Sequence, residues 1–400
     1  MGETTEIMAA GEALRALVAL RGVLEDDIVK KLRAMLNALE GPQPLAVEAY
    51  AAFAAALLAH TESLTEYVLD AALGDVNAYV LRRSMGLAPG EVLAESLKND
   101  LTALQAVSRL DAARVKDAIG YAGYLPEWRT EVVEFAKEYE TRMRELPKRG
   151  FGVYAKHVMF RLADGRITPV LRPDPVRLGD LVGYERQKRA LLRNVRALLS
   201  GKPAANALLF GDAGTGKSST LKAIVNDYAG DGLRLVEVGK SQLREIPSVM
   251  GALAELPLKF ILFIDDLSFT GEGDDYYTVK AALEGSAAVK APNVIICATS
   301  NRRHMIRERF SDREGDDVSR AETLQEQLSL SDRFGLTVGF FRPDKERYLD
   351  IVRALAARQG IRMDDAALEE AAERFALGGG RSPRTAQQFI VHIVGGEEQA

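Results

Sequence analysis

The stretch from Ala205 to Lys222 constrains the fold of this chain more than any other, and it reads ANALLFGDAGTGKSSTLK. The apolar run from Ala207 to Phe210 has the length of a buried strand, and a helix-like pattern begins at Lys217. Between them lies G-x-x-x-x-G-K-S, the pattern of a phosphate-binding loop in its strand–loop–helix context. The stretch therefore predicts an α/β protein that binds a nucleotide.

The residue types of this loop explain the chemistry. Glycines let the chain bend so that successive N–H groups point at phosphate oxygens, and the helix that follows offers free N–H groups and a positive dipole end. Lys217 can reach the β- and γ-phosphates, and the Ser218 hydroxyl can ligate Mg²⁺. The predicted cofactors are ATP and Mg²⁺. The predicted binding residues of the loop are Gly211, Asp212, Ala213, Gly214, Thr215, Gly216, Lys217, Ser218 and Ser219.

Composition excludes several classes of protein. No apolar run reaches membrane-spanning length, and the first residues, MGETTEIMAA, lack the basic start and apolar core of a secretion signal. The single cysteine, Cys297, rules out an internal disulfide and a cysteine metal cluster, and its apolar surroundings predict a buried packing role. A net charge of -5 gives no overall attraction to nucleic acid, although a local basic patch stays open. We expect a cytoplasmic protein with no membrane contact.

The chain divides by its patterns. Residues 1–150 show apolar residues at helical spacing, which predicts an all-helical N-terminal domain of six to eight helices in which Trp128 belongs to the core. Residues 151–175 alternate around Asp164-Gly165 and end in two prolines, which predicts a β-hairpin and a linker between the two domains.

Polar residues follow two later apolar runs. Phe260 to Ile264 reads as a strand covered on both faces, and it ends in Asp265 and Asp266. Asp265 can lie near the Mg²⁺ held by Ser218, and Asp266 can orient and polarise the attacking water. Asn301 follows the run NVIICATS and can hold that water or the γ-phosphate, since ligands bind at the carboxyl edge of open parallel sheets.

Taken together, these motifs resemble an AAA+ ATPase module over about residues 173–395. The segments FIDDLSF, ATSNRRH and LSLSDRFGL also resemble those of a bacterial group of predicted ATPases with a single AAA+ module and a helical N-terminal domain. The resemblance implies a parallel sheet with helices on both faces over residues 176–342, and a small helical lid over residues 343–400.

The resemblance also implies roles for residues outside the loop. Asp265-Asp266 is the Walker B pair, and Asn301 is sensor 1. Arg333, in Ser331-Asp332-Arg333-Phe334, falls where the family places its arginine finger, and Arg384 matches the sensor-2 arginine of the lid. The turn that faces the adenine base is matched by Val182, Gly183 and Tyr184.

In function, the resemblance implies hydrolysis of MgATP between copies of the chain. The copies would form a ring, with six as one candidate number, and would remodel a protein or nucleoprotein client. A DNA-associated helicase-loader-like ATPase is an alternative, because the Walker B strand ends in Asp265-Asp266, as it does in many helicase loaders. No DNA-reading motif is visible in the sequence, however. A slow nucleotide-dependent assembly switch is another. The segment GKSQLRE (239–245) lacks the aromatic residue of a polypeptide-threading loop.

Two further expectations concern the stretch after Asn301. Arg302, Arg303 and His304 form either a basic patch for nucleic acid or a neighbouring subunit, or a solvated helix start. The highly charged segment 308–323 predicts a mobile loop.

Overall fold

A computed structural model describes residues 2–267, 274–284, 291–301 and 333–397 of the chain. Its internal contacts divide it into two compact units, Met1–Lys156 and His157–Ala400. Residues 302–304 and the charged segment 308–323 lie outside the described residues. None of the helices in the described ranges is both long and apolar enough to cross a membrane.

The first unit is built from helices. Its described part holds ten α-helical segments, more than the six to eight that the sequence predicts, because the last turns before residue 157 form separate short helices. They are α1 (Gly2–Arg15), α2 (Asp27–Ala38), α3 (Gln43–Leu58), α4 (Leu64–Gly74), α5 (Ala78–Ser84), α6 (Glu91–Val107), α7 (Ala112–Ile119), α8 (Phe135–Arg144), α9 (Leu146–Arg149) and α10 (Val153–Lys156).

Trp128 belongs to the core of this unit, as its sequence context predicts. Its ring packs against Tyr50 and Phe53 at centroid distances of 5.2 and 5.1 Å. The indole N–H donates to the carbonyl of Leu110 at 2.8 Å, so the polar atom is satisfied in a buried position. This packing accounts for the tryptophan without a ligand.

The second unit is organised around a seven-stranded sheet whose strand order is β2-β1-β4-β5-β6-β3-β7. The pairs β1–β4, β4–β5, β5–β6, β6–β3 and β3–β7 are parallel, and β1–β2 is antiparallel. The strands are β1 (Met159–Ala163), β2 (Arg166–Pro169), β3 (Ala207–Gly211), β4 (Leu233–Val238), β5 (Lys259–Ile264), β6 (Val294–Ser300) and β7 (Leu336–Phe340).

Helices accompany this sheet, as the buried strands require. Every residue of β6 and all but the first of β5 are buried, which is expected of central parallel strands. Cys297 lies in β6 and is buried, as predicted. The helices of the sheet region are α11 (Glu185–Leu199), α12 (Lys217–Tyr228), α13 (Ile246–Ala254) and α14 (Asp274–Glu284).

The hairpin of β1 and β2 is part of this sheet. Met159, Phe160 and Arg161 pair in parallel with residues of β4, so the hairpin extends the sheet at one edge. The sequence predicts this hairpin, with Asp164 and Gly165 in its turn, as a separate element between the two domains. In the structure the hairpin is instead part of the sheet of the second unit. Pairing with a strand about seventy residues further along the chain leaves no local signal in the hairpin sequence.

Three helices follow the last strand and form the lid. They are α15 (Lys345–Gln359), α16 (Asp365–Gly379) and α17 (Pro383–Glu397). Tyr348, Val352 and Phe389 are buried in their common core. The connection from β7 to α15 is short, so the lid begins close to the carboxyl edge of the sheet.

The strand order decides which side chains meet. The strand β6 lies between β3, which leads into the phosphate loop, and β5, which leads to Asp265 and Asp266. Because these strands are parallel, their carboxyl ends lie at one edge of the sheet. Residues that follow β3, β5 and β6 are therefore brought together there.

Candidate nucleotide site

The backbone of the predicted phosphate loop adopts conformations that require glycine. Gly214 and Gly216 have φ of +79° and +88°, in the left-handed region. At Gly211, a Cβ would lie 2.0 Å from the carbonyl oxygen of Phe340, so a side chain does not fit between β3 and β7. The helix α12 begins at Lys217, and the N–H groups of its first turn have no partners within the helix. This geometry suits a bound anion.

Lys217 is buried and donates to three oxygens. Its Nζ lies 2.8 Å from the carbonyl oxygens of Gly211 and Asp212 and 3.2 Å from Oδ1 of Asn301. Burial lowers the pKa of the Lys217 ammonium, and the carboxylates of Asp212 and Asp265 oppose that effect. The ammonium is thus held at the mouth of the loop by oxygen acceptors.

The hydroxyl of Ser218 and the carboxylate of Asp265 meet beside this lysine. The Ser218 hydroxyl donates to Oδ1 of Asp265 at 2.8 Å, and Thr299 of β6 donates to the same oxygen at 2.6 Å. A hydroxyl and a carboxylate oxygen are ligands that Mg²⁺ takes in proteins, together with phosphates and water. Among the described residues, no cluster of three or more histidine, cysteine or acidic side chains could hold a metal. The donor set therefore fits a cation shared with phosphates.

Asp266 is held in an unusual conformation. Its φ is +52°, a strained value for a residue other than glycine, and its main-chain N–H donates to the hydroxyl of Thr299 at 2.8 Å. One carboxylate oxygen accepts from Nδ2 of Asn301 and the other from Nζ of Lys240, each at 3.0 Å. The carboxylate is thus aimed by two side chains from neighbouring strand ends.

Asn301 connects the two halves of the site. Its side-chain oxygen accepts from Lys217 and its nitrogen donates to Asp266. Thr299 makes a second connection, between Asp265 and the backbone of Asp266. The structure therefore joins the loop lysine, the two acids and the polar end of β6 in one hydrogen-bonded network.

Two members of this network have no role in the sequence prediction. Thr299 stands within the run NVIICATS, and the signal that could have identified it is a threonine at the penultimate position of a buried strand. Lys240 carries no motif, and its contact with Asp266 spans 26 residues of the chain. Such a contact becomes visible when the order of the strands is known.

The beginning of the last lid helix touches the loop. The main-chain N–H of Arg384 donates to the carbonyl of Gly214 at 3.2 Å. A Cβ at Gly214 would lie 3.2 Å from Ser382 Oγ and 3.3 Å from Arg384 Cβ. The charge of Arg384 is near enough to contribute to the lowered pKa of Lys217. The structure thus brings Arg384 to the phosphate loop.

Asp212 ties the loop to the strand that leads into the lid. Its main-chain N–H donates to the carbonyl of Phe340 at 2.9 Å, and its carboxylate accepts from the main-chain N–H of Arg342 at 2.8 Å. Thr215 is buried and donates back to the Asp212 carbonyl at 2.8 Å. Ala213 lies between them in the turn.

A cavity of about 200 Å³ adjoins the loop at the position expected for the base. Its lining comes from the predicted turn, the loop, α12 and the lid, and includes Val182, Gly183, Tyr184, Thr215, Gly216, Ser219, Ile351, Leu355 and Pro383. The apolar side chains of this set suit the faces of a flat ring.

Tyr184 stabilises the turn at the side of this cavity through its contacts with Phe340 and Phe341. Its ring stacks on Phe340 at 5.2 Å, and its hydroxyl donates to the carbonyl of Phe341 at 2.7 Å. Burial raises the pKa of Tyr184 to about 12, so the hydroxyl stays a hydrogen-bond donor at neutral pH. Gly183 and Tyr184 both have positive φ, at +83° and +58°.

Arg333 lies apart from these residues. In the register of the sheet, Leu336 is opposite Ala207 and Phe340 is opposite Gly211. Arg333 precedes Leu336 and is therefore at the amino end of β7, whereas the phosphate loop follows the carboxyl end of β3. Five strand residues separate the two ends, about 17 Å. The structure does not bring Arg333 to the loop of its own chain.

Comparison with curated proteins finds short matches. The chain is 35% identical over 80 residues to the replication factor C large subunit of Staphylothermus marinus, and 34% identical over 80 residues to that of Methanococcus maripaludis. The matched part is 20% of this chain and 18% and 16% of those relatives, so less than a fifth of their length is spanned.

Comparison with solved structures finds partial matches of low sequence identity. The Thermotoga maritima RuvB Holliday junction branch migration motor aligns with a TM-score of 0.37 and 18% identity, covering 54% of this chain and 63% of that one. The Walker-type ATPase Paby2304 of Pyrococcus abyssi aligns with a TM-score of 0.38 and 17% identity, covering 57% and 71%.

A family model covers the greater part of the chain. It is described as "Protein of unknown function (DUF815)" and matches residues 155–397, which span the sheet, the phosphate loop and the lid. The matched part contains the parallel sheet, the phosphate loop and the helical lid of an α/β P-loop fold, and the chain belongs to the DUF815 family.

Proposed function

We propose that this protein binds and hydrolyses MgATP at a site that a second copy completes, and that it uses the cycle to remodel a protein or nucleoprotein partner. The observation that carries the proposal is the hydrogen-bonded network of Lys217, Ser218, Asp265, Thr299, Asn301 and Asp266. A structural role alone does not require an ammonium, a hydroxyl and two carboxylates to converge beside a loop of left-handed glycines.

The residues of the network have separate tasks in this proposal. Lys217 exchanges its contacts with loop carbonyls for β- and γ-phosphate oxygens, and the loop N–H groups hold the remaining oxygens. Ser218 and Asp265 supply a hydroxyl and a carboxylate to Mg²⁺, which would offset phosphate charge. Asp266 accepts a hydrogen bond from the attacking water and so directs it along the line of displacement. Asn301 holds both Lys217 and Asp266 at their positions.

Arg333 acts on a neighbouring copy in this proposal. Its place at the amino end of β7 puts it too far from its own loop, so a second chain has to present it. Such head-to-tail contacts generate closed rings when the rotation closes, and six copies is our candidate number. Arg384 approaches the γ-phosphate from the lid of the same chain.

Mixing two defective variants tests this arrangement. Arg333→Ala keeps the cradle, by which we mean the phosphate loop and the network around Lys217, and lacks the arginine finger. Asp266→Asn keeps the arginine finger and lacks the carboxylate that directs the attacking water. Each alone should turn over ATP about 10³-fold more slowly than the assembled wild type. In an equal mixture, about one interface in four combines an intact cradle with an intact finger, because each side is drawn independently.

The expected readout is therefore recovery to about a quarter of wild-type activity in the mixture. ATP binding by each variant alone, measured by fluorescence of a labelled nucleotide, serves as the control for folding. A mixture that shows no more activity than the average of its parts would overturn the shared site.

One observation favours a second candidate, a slow nucleotide-dependent assembly switch. The carboxylate of Asp266 is engaged by Lys240 at 3.0 Å, which leaves one oxygen facing an ammonium instead of a water. ATP-dependent assembly with negligible steady-state turnover would support this candidate. Turnover that rises when a protein partner is added would support the remodelling proposal, and strong stimulation by DNA would support the DNA-associated, helicase-loader-like alternative.

A further inference from the structure

Four arginines form a line on one face of α11. The helix reads ERQKRALLRNVRALL, and its arginines are spaced at i, i+3, i+7 and i+10, which places them on one face. All four are exposed, while Leu191, Val195 and Leu198 of the opposite face are buried in the core. The arginine stripe, as we name this set, consists of Arg186, Arg189, Arg193 and Arg196.

The charge of the stripe is not balanced by the residues around it. The single acid of the helix, Glu185, pairs with Lys188 at 2.8 Å. Within residues 2–267, 274–284, 291–301 and 333–397, the side chains of Arg186, Arg189 and Arg193 make no hydrogen bond or ion pair. The whole chain has a net charge of -5, so this accumulation is local.

Arg196 is the exception within the stripe, and it has an uncharged partner. Its Nε donates to the hydroxyl of Tyr228 at 2.9 Å, and its guanidinium lies 5.7 Å from the centre of that ring. The contact holds the side chain in place, and no carboxylate among the described residues pairs with its charge.

The positive surface continues beyond the helix. Arg186 lines a cleft of about 490 Å³ together with Arg342 of the connection to the lid and Arg347 of α15, of which Arg347 pairs with Asp344 at 3.8 Å. The acids of that cleft are Glu185 and Asp350, and each has a cation of its own, Lys188 and Arg353.

An exposed aromatic ring lies beside the stripe. Arg186 and Arg193 line a second cleft, of about 800 Å³, with Phe341, which is 60% exposed. Gly211, Asp212 and Asn301 of the nucleotide site also line this cleft, and the Asp212 carboxylate accepts the main-chain N–H of Arg342. Arginines without acidic partners next to an exposed aromatic ring are the features that bind single-stranded nucleic acid.

We propose that the arginine stripe binds the phosphate backbone of nucleic acid, with Phe341 stacking on a base of a single strand. A guanidinium offers a fork of donors that matches a phosphate group. The stripe is about 15 Å long from Arg186 to Arg196, which is long enough to contact several consecutive phosphates of one strand. The proposal goes beyond the proposed function, since binding here needs neither ATP nor hydrolysis.

Fluorescence anisotropy with the full-length protein tests the stripe. The probes are a fluorescein-labelled oligothymidine and a labelled duplex of the same length, titrated without ATP at several salt concentrations. The test variant is Arg186→Gln with Arg193→Gln, which removes two charges that have no partner in the part of the chain that the structure describes. The matched control is Arg144→Gln with Arg374→Gln, two exposed helical arginines that pair with a glutamate of their own helix.

We expect the test variant to bind both probes about 10-fold or more weakly, and its plot of log affinity against log salt to lose a slope of about 1.4 to 1.8. The control variant should bind as the wild type does. Equal affinities of wild type and test variant at every salt concentration would overturn the proposal. No binding of either probe by the wild type at low salt would overturn it as well.

Two further arms separate the remaining readings. Phe341→Leu should weaken binding of oligothymidine about 10-fold and leave the duplex unaffected, and an equal loss on both probes would overturn the stacking role. A loss of self-assembly in the test variant, with nucleic-acid binding unchanged, would assign the stripe to an acidic face of a second copy and overturn the proposal.

The outcome is separable from that of the ATPase proposal. Lys217→Ala keeps the stripe and should bind the probes as the wild type does, although it would not turn over ATP. A wild-type protein that binds DNA without any ATPase activity would leave the stripe in place and remove the hydrolytic function.

Discussion

The two ends of the central sheet differ in how much of the proposed chemistry each contains. At the carboxyl end, six side chains from α12, β5, β6 and the residues after them form one hydrogen-bonded network. At the amino end of β7 stands Arg333, a strand length away. One chain therefore holds the network at one end of the sheet and, at the other end, the arginine that we propose for a neighbouring copy's site. Under the proposed function, this separation makes assembly a requirement for catalysis.

The largest effect should come from removing the ammonium of the cradle. Lys217→Ala is expected to lower ATP turnover by about 10³-fold or more and to abolish tight ATP binding, because the phosphate charge then lacks its nearest cation. Steady-state turnover and isothermal titration with ATP measure the two effects. Lys222→Ala, a lysine of the same helix outside the network, is the control and should behave as wild type. Normal ATP binding by Lys217→Ala would mean that the network at the carboxyl end of the sheet is not the ATP-binding site, and it would remove the contrast with the amino end of β7.

Removing Arg333, the cation at the amino end of β7, should leave ATP binding unchanged. Arg333→Ala is expected to lower turnover of the assembled protein by about 10³-fold while the affinity for ATP stays unchanged, since the cradle of each chain is intact. Turnover and nucleotide affinity measured on one preparation give both values. A loss of affinity equal to the loss of turnover would show that Arg333 belongs to the binding site of its own chain.

Thr299 should sharpen the description of the cradle, with a smaller effect. Thr299→Val removes the hydroxyl that donates to Asp265 and accepts from the backbone of Asp266, at similar volume. We expect turnover about 10-fold to 100-fold lower and a higher Mg²⁺ concentration for half-maximal activity, because the two carboxylates lose their alignment. Unfolding by denaturant should cost about 1–3 kcal/mol less, since buried partners are left unsatisfied.

Thr299→Ser is the matched control, because it keeps the hydroxyl. It should restore most of the activity and the Mg²⁺ dependence. If the serine variant is as defective as the valine variant, the methyl group matters and the hydrogen bonds do not.

Lys240 is expected to have a modest effect of the opposite sign. Its contact with Asp266 joins two half-exposed groups, so it adds at most about 1 kcal/mol to stability. Lys240→Ala should raise the basal turnover of the isolated protein severalfold, because the Asp266 carboxylate is released to water, and Lys240→Arg should not. Lower turnover in the alanine variant would mean that Lys240 positions Asp266 for the reaction.

The smallest expected effect serves as a check on all of these variants. Burial raises the pKa of the Cys297 thiol to about 12, so at pH 8 it should not react with a thiol reagent in the folded protein. Cys297 lies in β6, between the two ends of the sheet. Fast labelling in any site variant would show that the sheet has opened and that the loss of activity is a folding defect.

Sequence reasoning reached the features that are local in the chain. The phosphate loop, the Asp265-Asp266 pair and the turn at Asp164-Gly165 are each read from a few consecutive residues. It did not give the place of the hairpin in the sheet, the role of Thr299 or the contact of Lys240 with Asp266. These depend on parallel pairing between distant strands, which the local pattern of any one strand does not encode.

The hydrogen bonds of Asp212 have a mechanical consequence. Asp212 of the phosphate loop forms hydrogen bonds with the last residue of β7 and with the backbone of Arg342, where the chain passes from the sheet to the lid. A displacement of the loop must either carry that connection with it or break these two bonds. The lid is thus tied to the loop at two places, through Asp212 and through the hydrogen bond from Arg384 to Gly214. If the loop binds ATP as proposed, a shift of the loop would be passed to the lid helices through both.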